Sequence, residues 1–454
     1  MQKGLLIKAA VVGLIFLLLQ IPLKMIGGMV VERAARQQDV VREISTSSYG
    51  SQVFAGPILT IPYIEEYNEV PEGPGTKVLH RRLERVLHVF PSMSSSSGAV
   101  GVSTKSRGLF KARVYDWNAK LNGHFAFDGV VPSLSRSRAD SLITWGVPFV
   151  SLPVSDPRGL DGAFKLQWGG QSLTLERGSG LANSPSGLHT VVPNFDPAKP
   201  QRFNYAMDLK LHGTESLAFL PLAAENSISL QSTWPHPSFG GQFLPRPETQ
   251  TVSKDGFNAQ WHISALSSNA QQQMGTLLNA SKDCPSGQCI ERVEVRFVNP
   301  VDIYSLTDRA LKYGFLFIAL TFVCLILVEL LKELRIHPAQ YLLGGLALGV
   351  FFLLLIALSE HFHFWVAYLA ASIGCILLLG YYLTAVLRSV GRGLMFSAML
   401  TALYGALYGL LISEDNALLL GALLVFGFLA ATMSLTRHLN WYTLTDRSMT
   451  DDAV

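Results

Sequence analysis

Charge is scarce in this chain. Asp, Glu, Lys and Arg make up 15% of its 454 residues, against 49% hydrophobic residues. Cysteine is scarcer, with four copies, and only Cys284 and Cys289, in CPSGQC, lie outside long apolar runs. With no second pair beside them, a structural zinc site, which needs four ligands, is not expected. Catalytic signatures are missing too. There is no G-x-S-x-G nucleophile elbow and no S-x-x-K acylation motif. There is no H-E-x-x-H and no phosphate-binding G-x-x-x-x-G-K-[ST] loop. These absences argue against serine hydrolases, acylating serine enzymes, zinc proteases and P-loop nucleotidases. No catalytic residue, cofactor, metal site or nucleic-acid partner is expected. His361 and His363 flank Phe362 beside Glu360, in a short loop where polar residues are ordinary.

The hydrophobic residues are unevenly placed. Apolar runs long enough to cross a bilayer occupy positions 5–26, 313–334, 340–358, 362–383, 394–412 and 417–435. The loops holding Lys332 and Arg335, then Arg388 and Arg392, and the segment holding Arg437 are basic; SEHFH (359–363) and SEDN (413–416) are acidic. The positive-inside rule puts the basic segments in the cytoplasm. Both termini are then cytoplasmic, and most of 28–312 lies outside. A cleaved signal peptide is the competing reading of the first run. No small-x-small cleavage site follows it, and VVERAARQQDVVREI continues as a helix. In an oxidising compartment Cys284 and Cys289 are a candidate disulfide.

The region between the first two runs alternates apolar and polar residues. Phe203, Tyr205, Met207, Leu209 and Leu211 share one face, as do Leu121, Phe125 and Phe127. Phe164, Leu166 and Trp168 repeat the pattern, followed by Ile228, Leu230 and Trp234, then by Val293, Val295 and Phe297. This period of two predicts about a dozen short strands in two packed sheets. SMSSSSG, SDPRGLDG, ERGSG and NFDPAKP read as the turns between them. The fold class expected is therefore mixed: a polytopic helical membrane protein, one span plus five, with a large inserted all-β, sandwich-like periplasmic domain. The divisions are 1–27 for the anchor, 28–48 for a helical stalk, 49–304 for the β-domain, 305–436 for a five-helix bundle and 437–454 for a tail.

STWPHPSFGGQFLP (232–245) is irregular and aromatic. A strand is expected to end at Trp234, Pro235 and Pro237 to stop pairing, and QFLP to start a new strand. Trp234, His236 and Phe239 form a buried corner, a platform for a glycan, lipid headgroup or protein, or a catalytic loop. Asp156 and Arg158, in SDPRGL, form either a turn with a local pair or an anion site.

GPILTIPY (56–63), RGLFKARVYDWNAKLNGHF (107–125), VSDPRGL (154–160), WPHPSFGGQFLP, GFNAQWHIS (256–264) and NPVDIYSLTDRALKYGFLFIALTF (299–322) together resemble the CreD-type inner-membrane proteins. Tyr49 departs from the tryptophan frequent in that family. The resemblance implies a Gram-negative inner-membrane protein linked to a CreBC-type two-component regulon, with a role in envelope integrity and stress tolerance. It implies no established biochemical activity.

The second junction, NPVDIYSLTDRALKYG, reads as a strand-to-helix joint. Ser305 is the expected cap, Asp302 is near enough to pair with Arg309, and Arg309, Lys312 and Tyr313 anchor at the interface. Tyr304 lies in the same joint. Glu329 is the one acidic residue inside an apolar run, with Lys332 as its expected partner. Gly345 and Gly349, like Gly405 and Gly409, have the spacing at which helices approach closely, and self-association is an alternative use of one such face. The expected partners are the bilayer and an envelope ligand or protein. A periplasmic enzyme acting on glycan or lipid, and a lipid or small-molecule transporter, are the competing functions.

Overall fold

The computed structural model describes residues 2–69, 78–127, 136–193, 195–196, 199–279, 289–298, 302–331, 336–413 and 416–437. They fall into two units. One is Asp39–Pro300; the other joins Met1–Gln38 to Val301–Val454.

The first unit is β-rich. Its strands begin with β1 (Gln52–Ala55), β2 (Ile58–Glu69), β3 (Leu79–Val89), β4 (Met93–Arg107), β5 (Phe110–Phe127) and β6 (Leu142–Trp145). They continue with β7 (Phe149–Pro153), β8 (Lys165–Trp168), β9 (Gln171–Thr174), β10 (Glu176–Arg177), β11 (Gly187–Val191) and β12 (Gln201–Thr214). The last six are β13 (Ser216–Leu220), β14 (Glu225–Ser232), β15 (Pro237–Gly241), β16 (Gln250–Ser253), β17 (Gly256–Ser264) and β18 (Val293–Phe297). Three sheets result. The largest has the order β16-β17-β14-β4-β5-β12-β8-β9. A second runs β10-β11-β7-β2-β3 with β6 also on β2, and a third runs β1-β13-β18-β15.

The inner face of the large sheet supplies Trp117, Leu121, Phe125, Leu209, Leu230 and Trp261 to one buried cluster. The second sheet adds Leu59, Ile61 and Val150, and the third adds Phe54, Phe219 and Val295. The unit is thus a sandwich with its second layer split between two sheets, where two sheets were expected. It also holds a helix, α2 (Ala270–Asn279), absent from the all-β expectation. Ala270, Met274 and Leu277 of α2 pack on Ile58, Leu220 and Leu222.

The serine run is the clearest departure from the turn reading. SMSSSSG lies largely inside β4, a central strand paired antiparallel to β5 and parallel to β14. Its residues are too small to announce a strand by hydrophobic alternation, and the neighbours on both sides supply the pairing. A two-residue turn with Gly108 at φ 63° joins β4 to β5.

The second unit is helical. α1 (Gln2–Ser47) runs unbroken through the expected anchor and stalk, ending in the β-rich unit. It is followed by α3 (Ile303–Leu331), α4 (Pro338–Ser359), α5 (Phe364–Val386), α6 (Val390–Ile412) and α7 (Ala417–Thr436). Among the described residues, six helices are long and apolar enough to cross a membrane: α1 and α3 to α7. Val12, Ile15, Leu19, Leu23 and Ile26 recur at steps of three and four along α1 and are buried with α3 to α6. α7 buries none of its described residues; only Leu424 and Phe428 lean partly on the core. The bundle core is therefore built from α1 and α3 to α6, rather than from the five C-terminal helices.

Close approach happens at different glycines from most of those expected. A Cβ on Gly345 would lie 2.1 Å from Leu19 Cδ1, so α1 packs where α4 has no side chain. Gly349, Gly405 and Gly409 meet nothing within 4 Å. Gly380 and Gly393 instead bring α5 and α6 together, against Ser397 and Thr384.

Candidate functional site

The β-rich unit holds a dense polar joint where α1 ends. Asp156 caps a single 3-10 turn, Pro157–Gly159, and accepts the Arg158 N–H at 3.1 Å. The same carboxylate accepts Arg158 Nη2 at 2.6 Å and the Gly50 N–H at 2.7 Å. Arg158 reaches on to the Thr46 carbonyl and, at 3.3 Å, to the Ser45 carbonyl. Carbonyls in the last turn of a helix lack intrahelical partners and carry its negative dipole end, so a guanidinium there is favourable twice over. Gln52 is fully buried, and its Nε2 donates to the Asp156 and His212 carbonyls, each at 2.9 Å. Gly159 is required here, since a Cβ would come within 2.2 Å of the His212 carbonyl oxygen.

From the joint the network continues outward. His212 sits between two carboxylates, Nδ1 facing Asp116 and Nε2 facing Asp161 at 3.3 Å. Lys210 bonds Asp161 at 2.6 Å. The Tyr49 ring stacks on His212 at 5.2 Å, and Lys105 Nζ lies 5.5 Å from the Tyr49 centroid. The cross-strand pairing of β5 and β12 sets Asp116 opposite His212. Among the described residues the hydrogen-bond partners of the imidazole are the two carboxylates, with Tyr49 stacked on its face.

Burial alone pushes the Asp156 carboxyl up. Hydrogen bonds from Arg158 and from the Gly50 N–H outweigh it, and the group titrates below its ordinary value. A carboxyl depressed by folding contributes stability above its unfolded pKa of about 3.9 and loses it as pH falls through the lower folded value. Asp156→Asn should therefore flatten the acid limb of thermal stability below about pH 4. An acid limb as steep as the wild type's would remove Asp156 from this role.

The family model for "Inner membrane protein CreD" matches residues 4–442. The chain belongs to the CreD family. It is 37% identical over 426 residues to Inner membrane protein CreD of Escherichia coli (strain K12), covering 94% of this chain and 91% of that protein. The CreD resemblance of the motifs is thus borne out over almost the whole length.

Other residues singled out in the sequence are scattered. Asp156 and Arg158 form the expected turn and pair, with the added contact to α1. Trp234 donates its indole N–H to the His236 and Val298 carbonyls, at 3.1 and 3.2 Å. Phe239 packs edge-on against Phe257 and Trp261. His236 is exposed. β14 ends at Ser232 rather than Trp234, and the next strand begins at Pro237, not at QFLP. Proline is tolerated as the first residue of a strand, which is why Pro237 opens β15 instead of stopping it.

In the helical unit, α3 starts two residues before the expected Ser305 cap. Asp302 Oδ1 accepts the Tyr304 N–H at 3.3 Å, and Lys312 pairs with Asp308 at 2.6 Å. Tyr304 donates to Glu360 at 3.4 Å, and Arg33 of α1 lies 3.5 Å from the same carboxylate. Arg309 lies on α3, three residues before Lys312. Glu329 pairs with Lys8 of α1, 321 positions away, and accepts Tyr341 Oη at 2.8 Å and Ile336 N–H at 3.1 Å. Its expected partner, Lys332, lies outside the described residues. Cys289 is disulfide-bonded; Cys284 lies outside the described residues. No local pattern marked Lys8, Arg33 or His212, because each finds its partner through tertiary packing or strand register.

Proposed function

We propose that this CreD-family inner-membrane protein supports the integrity of the cell envelope, with its β-rich unit in the periplasm to bind or sense an envelope component. Both termini then lie in the cytoplasm. The state of the cysteines supports this reading most directly. Cys289, in the β-rich unit, is disulfide-bonded, whereas Cys324 and Cys375, in the membrane helices, are free. Persistent disulfides belong to oxidising compartments. The basic loops after α3 and α5 agree, since both then face the cytoplasm.

The joint at Asp156 and Arg158 suits such a role. It ties the end of α1 to the β-sheets through charged hydrogen bonds. A ligand-bound β-rich unit would thus act on a helix held at a defined point.

Topology is tested by cysteine labelling in intact spheroplasts. Leu266→Cys, at a position 99% exposed, should react with a membrane-impermeant maleimide. Arg388→Cys, between α5 and α6, should react only after lysis. The reverse pattern would overturn the orientation. The envelope role is tested by detergent sensitivity of a deletion strain, which the full chain should relieve; failure to relieve it would remove that role.

A further inference from the structure

The outer face of the eight-stranded sheet carries a cleft of about 600 Å³, within the size range of small-ligand sites. Strand register builds it. Asn118 of β5, Ala99 of β4, Gln231 of β14, Asn258 of β17 and Thr251 of β16 are consecutive cross-strand partners in one row. The floor is low because four successive outward positions in the middle of β4, Ser95, Ser97, Ala99 and Gly101, are all small. The neighbouring β14 adds Ser227 and Ser229. Taller side chains on β5 and β17 stand on either side. Ala99 and Gly101, just past the serine run, thus floor a valley in an otherwise ordinary solvated face.

The chemistry of the lining selects an occupant. Asn118, Gln231 and Asn258 each offer an amide donor and acceptor. Among the described residues these three amides have no side-chain hydrogen bond of their own. Asp255 is the one charged side chain in the lining, and no cation is present. Phosphate headgroups and other anions find no counter-charge there. The exposed lining is mostly carbon, on which a sugar ring can lay its C–H face, with the amide and hydroxyl groups of Asn118, Gln231, Thr251 and Asn258 standing around it; an acyl chain would cover those amides and leave them unpaired.

We infer that this valley binds a neutral, hydroxyl-rich chain: an oligosaccharide held by the amides of Asn118, Gln231 and Asn258 over the Ala99–Gly101 floor. The inference rests on the proposed reading of the β-rich unit as a binder of envelope components, and names the ligand class. Two sources share that chemistry, N-acetylated aminosugar chains and plain glucans.

The test uses the full chain in phosphatidylcholine nanodiscs, with fluorescent chitotetraose and maltotetraose as probes read by polarisation. Saturable binding of at least one is expected, unchanged between low and high salt because no ion pair forms. The probe that binds identifies the source. Ala99→Trp, which fills the floor, should weaken binding about tenfold or more, as should Asn258→Ala combined with Asn118→Ala. Gln171→Trp, on β9 at the far edge, should leave it intact. Melting curves and circular dichroism verify folding, and the exposed double alanine variant keeps the test open if Ala99→Trp misfolds. Absence of saturable binding of both probes, or binding undiminished in the folded valley variants, overturns the inference. If the labelling pattern and relief of detergent sensitivity still hold, the envelope reading stands and only the ligand class falls.

Discussion

Glu329→Ala should destabilise the helical unit by about 2–3 kcal/mol, below the roughly 3–5 kcal/mol of a fully buried pair. The discount reflects Lys8, whose side chain is 32% exposed and able to snorkel, whereas Glu329 is 13% exposed. Glu329 ties three helices. Lys8 comes from α1, Tyr341 from α4, and the carboxylate itself from α3. Removing it leaves an ammonium and a phenol without their shared acceptor. The measurement is reversible unfolding of the full chain in mixed micelles. Lys8→Met with Glu329→Met should lie nearer the wild type than Glu329→Ala, because the penalty comes from the stranded charge. A loss below about 0.5 kcal/mol in Glu329→Ala, in the range of exposed pairs, would show that the ion pair does not hold the helices.

Trp117→Ala should cost the β-rich unit about 3–5 kcal/mol, the range for deleting a buried aromatic. Trp117 is fully buried and stands between sheets, 5.6 Å from Phe54 and 5.0 Å from Phe219 in edge-on geometry. Its indole nitrogen has no hydrogen-bond partner among the described residues. Trp117→Phe loses less apolar contact and removes that unsatisfied donor, so it should be much milder than Trp117→Ala. The inner face of β4 accommodates the indole because residue 98 is glycine; a Cβ there would lie 2.7 Å from the indole nitrogen. Denaturant unfolding followed by circular dichroism measures both variants. Equal losses for phenylalanine and alanine would remove the packing argument.

Much of the architecture was legible because it follows from periodicity. Apolar runs of about 20 residues can satisfy their backbone in lipid only as helices, so the six spans were visible. Alternation at Tyr205, Met207, Leu209 and Leu211 marked a strand with one buried face, and all four are buried. The pair of Asp156 with Arg158 was legible because its partners are two residues apart. The serine strand was not, since small polar residues satisfy a turn as readily as a strand and show no apolar alternation. Nor was the role of Tyr49, whose ring finds His212 only after β12 is in register.

The sequence by itself settled where the six long apolar helices lie, and that a β-rich region is inserted between the first of them and the other five. Those features depend on local composition and on the solvent each segment can tolerate. Only tertiary structure decided that α1 joins the bundle core while α7 stays outside it, that Glu329 answers to Lys8, and that a row of small residues opens a valley. Each of these is a contact between distant segments, fixed by packing and strand register rather than by any neighbour in the chain.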